Sequence, residues 1–241
     1  SVGYNLKNYY HYKYRGLFQK CNVPKANRLV ISNSDSEDLT DVFTKVGKIN
    51  NYLMLLVLSG FILIGRQFVN LWVGNEYDIS YFAALILMLA GYIPAIQTLG
   101  VNIQNAKNMH KMRSIVYFLI ACLNVLISIV LINKWGVVGT CLGTLFATLI
   151  GHGFFMNWYY HKRIGLNVIY FWKEMLKWIV PVVIMTFIGY VLLQNIIINN
   201  WFKLISIACI YGLIYIIVLF IVELDYSQKS IVMSKLKAII K

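Results

Sequence analysis

Negative charge is scarce in this chain. Nine Asp and Glu stand against 22 Lys and Arg among 241 residues, a formal net charge of +13. None of the nine falls inside a long apolar run, which removes the paired carboxylates that acid–base chemistry or cation coupling at membrane depth needs. Proline is equally rare: there are three, so long helices can run with few interruptions. The four cysteines form no CxxC, and Cys122, Cys141 and Cys209 sit in apolar runs, where cysteine acts as a small apolar residue. No disulfide is expected. His11, His110, His152 and His161 have no ligand spacing, and neither a phosphate loop nor a nucleophile elbow is present. The expectation is a protein that is not an enzyme, with no metal and no cofactor.

What the chain has in abundance is apolar surface. Hydrophobic residues make up 59% and charged residues 13%, and the mean hydropathy is +0.67. A soluble domain of this length cannot bury so much, so the expected solvent is lipid. From Asn51 to Trp72 there is one charged residue, Arg66. At ~1.5 Å per residue this stretch crosses a hydrocarbon layer of ~30 Å. The expected fold is all-α: a polytopic bundle with six transmembrane helices at about 49–72, 80–104, 113–132, 136–159, 176–194 and 201–222. Residues 1–48 form an N-terminal segment containing an amphipathic helix. There Ser34 and Glu37 have capping-box spacing, and Leu39, Val42, Phe43 and Val46 make an apolar stripe. Residues 223–241 form a basic tail.

The positions of the basic residues argue for topology rather than nucleic acid. Residues 1–48 carry eight, the loop near 106–113 three, the loop at 161–177 four and the tail four. The opposite loops hold only Lys134 and Lys203, so the positive-inside rule places both termini in the cytoplasm. The three outer loops (73–79, 133–135 and 195–200) are very short, which excludes a catalytic domain outside the membrane. The chain begins at Ser1 without a signal-like run, and a processed chain or a fragment of a longer protein is expected.

Two stripes mark the fourth span. Gly139, Gly143, Ala147 and Gly151 recur every four residues and would let another helix backbone approach closely. Thr140, Thr144, Thr148 and His152 run beside them; their hydroxyls either bond to their own helix carbonyls or line a cavity. The second span contains Pro94, expected to kink it, and Gln97 and Gln104, seven apart and so on one face of an unbroken helix. The third holds Asn124 with Ser128 one turn on. Amides at membrane depth must face protein or water, as interhelical pairs or as contacts to a substrate. Arg66 either snorkels to the outer surface, pairs with Glu76, or faces a cavity that attracts a diphosphate.

Four short elements then fall in order. ValProLysAlaAsnArgLeu (23–29) is similar to the P-x-x-S-R-L element of bacterial polysaccharide flippases. LeuTrpValGlyAsnGluTyr (71–77) resembles their L-W-x-G-x-x-Y turn. The run from Gln104 through Lys107 and Lys111 to Asn124 resembles their Q-N…K…N pattern, and TrpGlyValValGlyThr (135–140) their Y-G-x-x-G-A element. Over about 23–160 the chain thus resembles the later part of the oligosaccharide flippase (O-antigen transporter) family of the multidrug/oligosaccharidyl-lipid/polysaccharide superfamily. Residues 1–22 depart from that pattern.

The resemblance implies two six-helix lobes around a central cavity and alternating access in the bacterial cytoplasmic membrane. It also implies transfer of undecaprenyl-diphosphate-linked oligosaccharide between leaflets for polysaccharide biosynthesis. The implied partners are membrane lipids, the lipid-linked oligosaccharide, and an N-terminal lobe or partner chain that this sequence lacks. The alternatives are a drug or cation exporter of the same superfamily and a non-catalytic membrane partner subunit.

Overall fold

The computed structural model describes residues 36–194, 196 and 198–223, and every element it describes is helical. Six longer α-helices follow in chain order: α1 (Ser36–Trp72), α2 (Asp78–Ile96), α3 (Thr98–Ala106), α4 (His110–Thr148), α5 (Val168–Leu193) and α6 (Trp201–Glu223). A 3-10 turn at Asn75–Tyr77 joins α1 to α2. Beyond Thr148 the coil of α4 widens into π-helix at Leu149–Met156, makes one α turn at Asn157–Tyr159, and widens again at Tyr160–Ile164. The 23–29 element, Ser34 of the capping box and the basic tail beyond Glu223 lie outside the described residues.

Five helical stretches are long and apolar enough to cross a membrane: Ser36–Trp72, Asp78–Ile96, Lys111–Ile164, Val168–Leu193 and Trp201–Val222. The third covers two of the six expected spans in one 54-residue run. Its backbone reverses at Gly136 (φ 55, ψ −132), a conformation that a residue with a Cβ adopts only under strain. The contacts beyond that point define an antiparallel hairpin. A Cβ added at Gly139 would meet the Leu131 carbonyl, one at Gly143 would meet Ser128, and one at Gly151 would meet Ile120. Gly139, Gly143, Ala147 and Gly151 are all buried, so this stripe is the surface on which the two arms close.

Two boundaries differ from the expectation. The amphipathic segment and the first span are one helix, because nothing between Ser36 and Trp72 breaks it. Gly47 does not interrupt it; the missing side chain makes room for the ring of Phe171. The second span, by contrast, is two helices. Pro94 has no N–H to give, and the break falls three residues later at Gln97 (φ −100, ψ 16). Side chains take up the carbonyls loosened there. Thr98 Oγ1 donates to the Ala95 carbonyl at 2.6 Å, and Asn50 Nδ2 donates to the same oxygen at 3.1 Å.

The contacts divide the chain into two compact units. One contains residues 36–55 with Phe82–Pro181. Its core is the apolar stripe of α1 (Leu39, Val42, Phe43) together with Ile96, Leu99, Ile103, Tyr160, Phe171 and Met175. The Phe43 ring lies 4.7 Å from Phe171 and 5.9 Å from Tyr160. Two bonds tie helix ends to connections in this unit: Asn167 N donates to Thr40 Oγ1 near the start of α1 at 3.1 Å, and Lys107 Nζ to the Ile164 carbonyl at 3.1 Å. Lys107, Lys111, Lys162 and Arg163 lie in or beside the connections 107–109 and 165–167.

The other unit contains Leu56–Tyr81 and the described residues from Val182 to Glu223. Phe68 packs on Trp72 and Trp201, and Phe61 stacks on Tyr81. An apolar groove of about 370 Å³ runs between its helices, walled by Gly60, Leu63, Gly189, Ala208 and Gly212.

Candidate functional site

The polar groups buried in the first unit converge on one residue that the sequence reading passed over. Asn157 is the middle of the run PhePheMetAsnTrpTyrTyr and lies between the two π-helical segments. Its Oδ1 accepts from Gln97 Nε2 at 2.7 Å and from Trp172 Nε1 at 3.2 Å. Its Nδ2 donates to the Gly153 carbonyl at 2.6 Å and the His152 carbonyl at 3.1 Å. One carboxamide therefore ties the α2–α3 break, the widened helix and α5 together. Widening leaves carbonyls without their usual i+4 partners, and Asn157 is placed to serve two of them. Lone amides in apolar runs drew attention at Asn124; the same rule applied to 154–160 would have found Asn157.

A second node lies on α1. Tyr92 donates its hydroxyl to Asn51 Oδ1, and Asn51 Nδ2 reaches the Met175 carbonyl at 3.4 Å. Below it, ahead of the apolar part of α5, Glu174 pairs with Lys48 at 2.6 Å and with Lys177. Glu174 is buried, so two cations for one carboxylate leave that corner net positive.

Gln97 and Gln104 are both buried, at 2% and 0% exposure. The break separates α2 from α3 at Gln97, which leaves Gln97 as the N-cap of the helix that carries Gln104. Gln104 lies on α3 beside Ile103, and among the described residues neither its Nε2 nor its Oε1 has a hydrogen-bond partner; Gln97 Oε1 also has none there. An unmade hydrogen bond in a buried site costs ~1–3 kcal/mol. The widened helix closes over α3 at this point, with the Tyr160 ring filling the space beside Gly100.

The hairpin carries a separate polar seam. Ser128 Oγ donates to Asn124 Oδ1 at 3.0 Å, and Thr144 Oγ1 lies 3.3 Å from the same oxygen. A notch of about 240 Å³ opens beside Asn124, Ser128 and Thr140. The threonine hydroxyls bond along their own helix: Thr140 to the Val137 carbonyl, Thr144 to Thr140 and Thr148 to Thr144, at 2.7, 3.2 and 2.7 Å. His152 continues the row but packs its ring 5.3 Å from that of Tyr117. The seam and the Asn157 node lie on different stretches of the chain, and no described hydrogen bond links their side chains.

Arg66 belongs to the second unit. It binds Asp78 through both carboxylate oxygens, at 3.1 and 2.5 Å, and its side chain is exposed. Pairing with Glu76 is one of the alternatives that the sequence leaves open for Arg66, but the carboxylate that it binds is a different one. The 3-10 turn instead brings the first residue of α2 level with Arg66, so the nearer carboxylate is that of Asp78.

These features define a helical protein whose rods suit a membrane and whose buried polar groups are mostly uncharged amides and hydroxyls. Compared with family models, curated proteins and solved structures, the chain finds no match in any of the three.

Proposed function

We propose that this chain is one lobe of a flippase. Together with a complementary body it would carry undecaprenyl-diphosphate-linked oligosaccharide across the bacterial cytoplasmic membrane, cytoplasmic termini inward, by alternating access. The observation that carries the reading is the chemistry of the buried groups. Asn51, Gln97, Gln104 and Asn157 are amides enclosed in an apolar helical body, where exporting a cation would call for carboxylates. Uncharged donors and acceptors suit a ligand made of hydroxyl groups.

The resemblance adds support through its two glycine turns. LeuTrpValGlyAsnGluTyr spans the end of α1 and the 3-10 turn, with Gly74 at φ 109; TrpGlyValValGlyThr places Gly136 at the hairpin reversal and Gly139 against Leu131. Each glycine of those elements thus has a physical task at a sharp change of chain direction. Alternating access needs two bodies rocking about a site, so this lobe alone is inactive in the proposal.

The test is a flipping assay in proteoliposomes with a fluorescent lipid-linked oligosaccharide. The chain alone should give no transfer above empty vesicles, and transfer should appear when a complementary lobe is co-reconstituted. Transfer of a lipophilic cation instead of the oligosaccharide would replace this reading with that of an exporter.

A further inference from the structure

Gln104 is the least expected side chain in the first unit. It is wholly enclosed, yet among the described residues both ends of its carboxamide lack a partner, and Gln97 Oε1 shares that condition at the N-cap of the same short helix. Packing alone does not account for this. A leucine would fill a similar space beside Ile103 and Leu99 without burying the two unpaired polar atoms of Gln104.

The backbone around these amides departs from regular geometry on both sides. α3 is only nine residues long and is severed from α2 at Gln97, where side chains of Thr98 and Asn50 replace part of the helical hydrogen bonding. The opposing strand of packing is the Leu149–Ile164 segment, which is π-helical on either side of Asn157. π-helical turns concentrate where a helix can change register at low cost. Returning this segment to α geometry would turn Asn157 and Tyr160 relative to Gln97 and Gly100, two of the contacts that α3 makes. A broken helix faces a widened one across a buried layer of unpaired amides.

We propose that α3, hinged at Gln97, is a gate over a closed binding site, and that its opening presents the Gln97 and Gln104 carboxamides to a polyhydroxyl ligand. The ligand class follows from the groups. A carboxamide offers a donor and an acceptor side by side without charge, and a hydroxyl offers both on one atom. Binding supplies the hydrogen bonds that the shut form leaves unmade, so the ligand favours the open form by differential interaction, as a population shift requires. The ligand class fits the transport reading, but the gate stands on its own geometry.

Two measurements on the full chain in nanodiscs test this. The first is Tm of Gln104→Leu. The variant removes the unpaired amide from the shut form, and Tm should rise by roughly 2–4 °C. A fall in Tm would mean the amide is paired after all and would overturn the proposal. The second uses Ile103→Cys, and separately Leu99→Cys as a second reporter, in a background without the native cysteines. Both positions are buried, so thiol labelling should be slow. A neutral maltooligosaccharide should accelerate labelling about tenfold with Gln104 present and not at all in Gln104→Leu. Labelling that ignores the sugar, or that responds equally in both backgrounds, overturns the gate. Acceleration by a lipophilic cation instead overturns the ligand class. Sugar-dependent labelling combined with a failed flipping assay would leave the gate standing and sink the flippase reading.

Discussion

Single side chains divide here into those that bind the fold together and those that merely decorate it. Asn157 belongs to the first group. Asn157→Leu would strand Gln97 Nε2 and Trp172 Nε1 in an apolar layer and return two carbonyls to an unpaired state. At ~1–3 kcal/mol per stranded group, Tm should fall by roughly 5–15 °C, read by thermal unfolding in detergent. Arg66 belongs to the second group. Its pair with Asp78 is solvent-exposed, and such pairs are screened and contribute little. Arg66→Gln should therefore leave Tm unchanged within error, and a clear drop would show that the pair anchors the turn. The contrast runs against sequence intuition. A lone arginine in an apolar run attracts notice, but a carboxylate one turn beyond the run can satisfy it. A lone asparagine in a similar run cannot be satisfied without partners from elsewhere in the fold.

At the scale of elements, glycines separate by what faces them. Gly143 lies against Ser128 across the hairpin, whereas a Cβ at Gly91 on α2 would meet nothing within 4 Å. The same substitution should then act with opposite signs. Gly143→Ala should destabilise by ~1–3 kcal/mol through overpacking. Gly91→Ala should be neutral or stabilising by up to ~1 kcal/mol through helix propensity. Denaturant unfolding of the two variants side by side checks the pair, and equal effects would mean that the hairpin arms do not close on the glycine stripe. The stripe itself was legible from its four-residue period. The break at Gln97 was half legible: Pro94 announced a disturbed helix, but its position three residues on depends on which side chains reach the loosened carbonyls. The π-helical stretch left no recognisable signal in 149–164, because widening a helix depends on what packs against it.

At the scale of the whole chain, the charge pattern makes a directional forecast. Asn167 meets Thr40 and Lys107 meets Ile164, so the basic connections of the first unit share one end, with Lys134 beside the hairpin reversal. Single cysteines at Lys107 and Lys162 should label from one side of sealed vesicles, and a cysteine at Lys134 from the other. Labelling of all three from the same side would defeat the six-span arrangement. Composition and period were enough to determine that the chain is helical, that its rods are long and apolar enough for a membrane, and that one helix carries a close-packing face. Those properties follow from local geometry and from the cost of apolar surface in water, both of which are written residue by residue. Tertiary structure alone decided that two spans form one reversed hairpin, that Asp78 rather than Glu76 answers Arg66, and that Asn157 gathers Gln97 and Trp172 while Gln104 is left without a partner. The reason is that hydrogen bonds between residues 15 or 60 apart in sequence are set by which helices meet.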